Sequence, residues 1–279
     1  MKHIAWICLL LLVVGASIPT AISQQGAAGA NSVGSMAPSG PASCAYQFVV
    51  NNKKRNYLGY CLTTTGTIAV LGTADVHNNT HAMLALGEGY GICTESPATA
   101  YWDYGTDGNS GNWKAPVLMS QTKTAVEISR TTSDDVWTLT QTITLDLKTP
   151  AAKISMTLRN NTGTRLVAYL VRYGNYDPDD SANLKVGNVD ATAQSAFGWK
   201  STTGAIDGAG LALQNVDKPL FGYFNGFAQN TPHGPNPCAF AFNSPGGPLL
   251  GIDGSLVLAY VDAFQPGESR TATMMYRGM

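Results

Sequence analysis

From Val136 to Lys148 the chain reads VWTLTQTITLDLK, and its apolar and polar positions alternate. Trp137, Leu139, Ile143, Leu145 and Leu147 share one parity, and Thr138, Thr140, Thr142, Thr144 and Asp146 share the other. A period of two residues, with β-branched threonine on the wet side, predicts a half-buried strand. The flanking segments carry the same signal. TAVEISR puts Val126 and Ile128 on one face, and TTSDD supplies the hairpin loop that follows. KISMTLR alternates Ile154, Met156 and Leu158; then NNTG makes an Asn/Gly turn and RLVAYLVRY runs out. The pattern predicts a four-strand meander over about residues 124–173.

Further strand candidates are TIAVL, HAMLALG, PVLMS, SAFGWKS, LALQN, LFGYF, CAFAF and SLVLAYVDAF, with a last one in PGESRTATMMYRGM. Glycine and proline punctuate them. No window sustains an apolar period of 3.6 over three turns, and no internal repeat of fixed period is visible. Many short strands without helices predict an all-β fold, a single large antiparallel two-sheet β-sandwich.

The first segment reads differently. MKHIAWICLLLLVVGASIPTAISQQ has a basic start at Lys2, an apolar run from Ile4 to Val14 and a small-residue region. That is the pattern of a secretory signal with cleavage after Ser23, and it is short for a membrane span. Residues 24–43 contain only Val33 and Met36 as sizeable apolar side chains, so they read as a flexible leader. The folded domain is expected over 44–279, in a secreted or periplasmic protein without a transmembrane anchor.

Export changes the reading of the cysteines. Cys44, Cys61, Cys93 and Cys238 remain after the signal, an even number that suggests two disulfides. Cys44 and Cys61 flank a predicted hairpin, YQFVV–NNKKRN–YLGYCL, with its turn near Asn52 and Lys53. Pairing them leaves Cys93 with Cys238. Free buried thiols or a single bridge are the other readings, and the absence of any C-x-x-C pair disfavours a metal site.

Charge narrows the partners. Only 13% of residues are charged and the formal net charge is −1, so nothing favours nucleic acid or an anionic membrane. There is no G-x-S-x-G elbow and no Gly-Lys pair of a phosphate-cradling loop. GEGYG at 87–91 reads as strand and turn rather than a dinucleotide site. His77 and His81 in HNNTH have the spacing of zinc ligands on a helix, but Asn78, Asn79 and Thr80 between them favour a polar turn.

Two stretches remain as candidate chemistry. YWDYGTDGNSGNW, residues 101–113, carries Tyr101, Trp102, Tyr104 and Trp113 beside Asp103 and Asp107. Exposed rings stack on sugar faces and carboxylates accept hydroxyl hydrogen bonds, which suits a glycan platform; the plainer reading is a loop whose rings cap the core. A glycosidase needs two placed carboxylates. Glu88, Glu95, Asp103 and Asp107 are available by type, but no spacing pairs them. The second stretch, YGNYDPDDSAN at 173–183, crowds Asp177, Asp179 and Asp180 together. Asn175, Asp177 and Asp179 occupy alternate positions, as a calcium loop would use. Asp180 stands where an EF-hand needs glycine and Val186 where it needs glutamate, so an EF-hand is excluded. The aspartates then hold calcium in a looser loop, or water and Arg172, at the end of the strand that Pro178 interrupts. Calcium is the one cofactor this suggests.

The segment LVAYLVRYGNYDPDDSANLKVGNVDATAQSAFGW resembles the central part of certain secreted bacterial β-sandwich proteins of unassigned activity. In these a strand ends in a Tyr-x-Asp-x-Asp-like turn. The closing GSLVLAYVDAFQPGESRTATMMYR is similar to their last strands, and the likeness covers about 60 residues. Some of these proteins carry a PEP-CTERM sorting tail, which is not expected here because no apolar helix with a basic end precedes Met279. The resemblance implies an exported bacterial β protein and transfers no catalytic residue. The expectation is therefore a noncatalytic binding or surface protein, with extracellular glycan as the favoured ligand. The alternatives are a carbohydrate-active enzyme using paired carboxylates and a structural envelope protein.

Overall fold

The computed structural model describes residues 44–52, 56–74, 80–84, 88–105, 108–176, 185–190, 194–201, 210–216, 222–229, 236–238, 249–250 and 254–279. They form three antiparallel sheets. A four-stranded meander runs β1 (Tyr46–Asn52), β2 (Asn56–Leu62), β3 (Ile68–Ala74), β4 (Thr80–Ala82). A six-stranded sheet has the order β16 (Gly222–Gln229), β18 (Gly254–Phe264), β12 (Leu166–Tyr176), β5 (Glu88–Glu95), β6 (Ala98–Tyr104), β7 (Gly108–Asn109). The nine-stranded sheet has the order β17 (Leu249–Leu250), β13 (Lys185–Asp190), β14 (Ser195–Lys200), β15 (Gly210–Asn215), β19 (Ser269–Gly278), β11 (Ala151–Asn160), β10 (Trp137–Asp146), β9 (Ala125–Thr131), β8 (Val117–Gln121). All the described elements are strands, as the period of two predicts.

The six- and nine-stranded sheets face each other as a sandwich. Trp137 of β10 meets Phe264 of β18 edge to face at 5.3 Å. Tyr260 of β18 donates to Asn215 Oδ1 of β15 at 3.0 Å. The four-stranded sheet adds its inner face, Phe48, Val50, Leu58, Leu62 and Leu71, to the same apolar cluster. One core thus serves three sheets, and all described residues lie in one compact unit.

The alternation in β9–β11 is as expected: Val126, Ile128, Trp137, Leu139, Ile143, Ile154, Met156 and Leu158 are all buried. Two details differ. Leu147 is 53% exposed, because β10 ends at Asp146 and Leu147 opens the turn. The fourth strand also leaves the meander. β12 pairs with β18 and β5 in the opposite sheet, and β11 takes β19 as its second neighbour. The reason lies in burial: Leu170–Tyr176 is buried on both faces, a central-strand pattern that alternation does not reveal.

The disulfides are Cys44–Cys61 and Cys93–Cys238, with Cα separations of 5.4 and 5.6 Å. The hairpin register sets Gln47, rather than Cys44, opposite Cys61, and Cys44 reaches its partner from just ahead of β1. Cys93–Cys238 pins a short segment onto β5. Pro237 there fills the space above Gly91, where a Cβ would collide with the proline ring. No helix among the described residues is long and apolar enough to cross a membrane.

Candidate functional site

Strand β6 divides the predicted glycan loop between two faces. Tyr101 and Asp103 point into the sandwich, whereas Trp102 and Tyr104 lie on the outer face of the six-stranded sheet. Trp113 joins the interior, edge-on to Tyr90 at 5.8 Å and to Tyr101 at 6.2 Å. Tyr104 is buried in a stack with Tyr173 at 5.3 Å. Of the five predicted ligand residues only Trp102 is half-exposed. Its backbone is held by Ser110, whose Oγ accepts from the Trp102 N–H at 3.0 Å, and by Trp113, whose Nε1 donates to its carbonyl at 3.0 Å. The rings therefore do not form a shared solvent-facing platform.

Asp103 is instead half of a buried ion pair with Arg130 of β9. Arg130 Nη1 also donates to the Tyr90 hydroxyl at 2.9 Å, and its guanidinium lies 4.9 Å above the Trp113 ring. Burial raises the Asp103 carboxyl above its ordinary range, against the pull of Arg130. A second pair lies fully buried: Glu88 of β5 with Arg172 of β12. Arg172 donates from Nε to Glu88 Oε1, from Nη2 to Glu88 Oε2 (2.7 Å) and to the Gly66 carbonyl (3.1 Å), and from Nη1 to Gln141 Oε1. Glu88 also accepts from the Ile68 N–H at 2.9 Å and the Tyr276 hydroxyl at 3.3 Å. Burial still pushes its carboxyl up to about 7, outweighing Arg172.

These contacts settle the fate of two proposed acids. Glu88 and Asp103 are sealed against arginine inside the core, where no substrate reaches them. Glu95 is exposed and accepts from the Tyr169 hydroxyl at 3.1 Å, while Asp107 lies outside the described residues. Arg172 does not reach out to the acidic turn; all three of its guanidinium nitrogens are engaged inside. Asp177, Asp179 and Asp180 themselves lie outside the described residues, as does His77. Among the described residues no three His, Cys, Asp or Glu side chains gather as a metal site.

A surface feature with room for a ligand lies on the four-stranded sheet. Its outer face carries an open groove of about 260 Å³ lined by Gln47, Val49, Tyr57, Gly59, Val70 and Gly72, with His81 at its edge. Gly59 and Gly72 are cross-strand partners. With no side chains of their own, they leave a shallow space on that face. Tyr57, two residues before Gly59, lays its ring over both. A Cβ on Gly59 would stand 2.6 Å from the Tyr57 hydroxyl, and one on Gly72 would stand 3.8 Å from Tyr57 Cε1. Val49 (50% exposed) and Val70 (47%) flank the ring. Among the described residues no carboxylate, lysine or arginine lines the groove. Sequence reasoning did not find this site. The signal was present in the Tyr-x-Gly spacing of NYLGY, but it acquires meaning only once Gly72 is known to lie beside Gly59.

An antiparallel β-sandwich with a surface groove on its four-stranded sheet is thus the class that fold and site define. No family model matches the chain, and no curated protein matches it in sequence. Among solved structures, a bacterial glucoamylase crystallised with acarbose is similar to 86% of this chain at 9% identity and a TM-score of 0.58. The chain spans about a third of that protein's length, 33%. An aldose 1-epimerase-like protein from Escherichia coli K12 is matched over 84% of this chain and 99% of its own, at 10% identity and a TM-score of 0.40. A mutant of the heparan sulfate lyase HepC from Pedobacter heparinus is matched over 83% of this chain and 36% of its own, at 7% identity and a TM-score of 0.38. The likeness to the glucoamylase is one of fold.

Proposed function

We propose that this is an exported, noncatalytic protein that binds extracellular glycan in the groove of its four-stranded sheet. The observation that carries the reading is the Tyr57 ring spread over Gly59 and Gly72. The apolar face of a pyranose stacks on such a ring, and the missing side chains let the ring lie flat on the sheet. Gln47 at the rim supplies an amide that donates to and accepts from hydroxyls. The described lining, with its amide, valines and tyrosine ring, favours a neutral sugar. Two disulfides fit an oxidising, extracytoplasmic setting.

The test is a glycan array followed by calorimetry on the best ligand. Tyr57→Ala is expected to weaken binding about tenfold or more, the scale of one lost stacking contact, with the melting temperature unchanged. Trp102→Ala is expected to bind as the parent does. If Trp102→Ala loses the ligand and Tyr57→Ala keeps it, the site lies on the outer face of the six-stranded sheet instead. Release of new reducing ends would make the protein an enzyme, and no binding at millimolar glycan would end the reading altogether.

A further inference from the structure

The groove on the four-stranded sheet adjoins a second space. A cleft of about 530 Å³ opens between β1 and the turn that joins β8 to β9, lined by Gln47, Phe48, Gln121, Thr122 and Lys123. Gln47 lines the groove as well, so the two spaces share this residue. Their chemistry differs. The groove offers a tyrosine ring and valines, whereas the cleft carries a lysine and, among the described residues, no carboxylate. The turn that presents Lys123 is fixed by its own hydrogen bonds. Thr122 Oγ1 accepts from the Thr124 N–H at 3.2 Å and from the Ala125 N–H at 3.0 Å, and the Thr122 N–H donates to the Ala125 carbonyl at 2.8 Å. The Thr124 carbonyl accepts from the Leu145 N–H at 2.7 Å, which ties the turn to the end of β10. Lys123 is exposed and makes no ion pair with a described residue. Glu127, four residues on, shares the parity of Ala125 and Ser129 on the outer face of the nine-stranded sheet and does not line the cleft.

We propose that the ligand is an acidic oligosaccharide that spans both spaces: an uncharged ring stacks on Tyr57, and Lys123 takes the carboxylate or sulfate of a neighbouring unit. This rests on the groove being a glycan site and adds the class of glycan. The Tyr57 ring lies over Gly59, whose cross-strand partner Val49 is two residues from Gln47. Two residues of strand advance roughly 7 Å, so Gln47 meets the unit that follows the stacked ring rather than that ring itself. Its amide donates to and accepts from hydroxyls at the junction. Beyond it the lysine supplies a point charge with three donors, on a stem long enough to follow an anion whose exact position varies. Because Lys123 is exposed, water and salt screen its pair with the anion, and the contact strengthens binding about fivefold.

The test is a glycan array that carries uronate oligosaccharides beside their carboxyl-reduced counterparts and sulfated oligosaccharides beside their desulfated ones, with calorimetry on the best pair. The parent protein is expected to bind an acidic form about fivefold more tightly than its neutral counterpart at low salt, and the difference to shrink as salt rises. Lys123→Gln is expected to bind both forms alike with an unchanged melting temperature, and Lys123→Arg to keep the preference. The pair that shows the difference identifies the anion as carboxylate or sulfate. A parent that binds acidic and neutral forms equally overturns the proposal, and so does a Lys123→Gln variant that keeps the preference; in either case the groove still stands if Tyr57→Ala weakens binding. A Tyr57→Ala variant that binds as the parent does overturns the groove reading itself, and this proposal with it.

Discussion

Arg172 keeps its charge between the sheets only because Glu88, Gln141 and the Gly66 carbonyl together satisfy it. Removing one member of such a pair strands the other. Arg172→Met is expected to lower unfolding free energy by about 3–5 kcal/mol in urea titrations, and Arg172→Met with Glu88→Leu by less than the two single losses together. The pH dependence has a definite sign. Burial raises the Glu88 carboxyl to about 7, so the folded state holds this proton more tightly than the unfolded chain does. Its contribution is complete below the ordinary carboxylate range and is lost as pH rises through about 7. Stability is expected to fall as pH rises from 5 to 8, and the Glu88→Gln variant to show a flatter profile in urea titrations across that range. Part of this was legible beforehand. Gln141 and Arg130 sit at inward parity in β10 and β9, polar breaks in otherwise apolar faces. Their partners were not legible, because Glu88, Asp103 and Arg172 belong to the facing sheet and only three-dimensional packing brings them close.

Among the elements, strands with one wet face could be read from the chain and strands without one could not. β9, β10 and β11 declare themselves by alternation. β12 is buried over Leu170–Tyr176 on both faces, so its sequence holds no clue to which sheet it joins. The disulfide pairing was within reach because a local hairpin selects one pair and leaves the other. The ring cluster at 101–113 was read with the right residue types but on the wrong surface, since alternation along β6 sends Tyr101 and Asp103 inward. The two bridges differ in the loops they close, with sequence separations of 17 and 145 residues. In the chain-entropy account Cys44→Ala with Cys61→Ala is expected to cost about 3 kcal/mol and Cys93→Ala with Cys238→Ala about 5, which denaturant midpoints of the two double variants will rank.

At the scale of the molecule, the polar network does more than hold one pair of strands. Ile68 of β3 and the carbonyls of Thr65 and Gly66 belong to the four-stranded sheet and its turn, Glu88, Tyr90 and Arg172 to the six-stranded sheet, and Gln141, Arg130 and Tyr276 to the nine-stranded sheet. With one apolar cluster and one network common to all three, unfolding is expected as a single transition, with far- and near-ultraviolet circular dichroism superimposing; a separate early loss of the Tyr57 environment would show the four-stranded sheet melting alone.

The place of β19 has a consequence for how the protein is made. Residues 269–278 lie in the middle of the nine-stranded sheet, hydrogen-bonded to β11 on one side and β15 on the other. Until that stretch has left the ribosome, β8–β11 and β13–β15 are two half-sheets with raw inner edges and no strand to join them. The nascent chain therefore keeps apolar surface uncovered until residues 269–278 have emerged. Closure of the nine-stranded sheet is expected to follow the emergence of this strand, which protease protection of arrested nascent chains of increasing length would time. A chain stopped at residue 268 lacks the central strand and is expected to be cleared as two unjoined fragments of sheet.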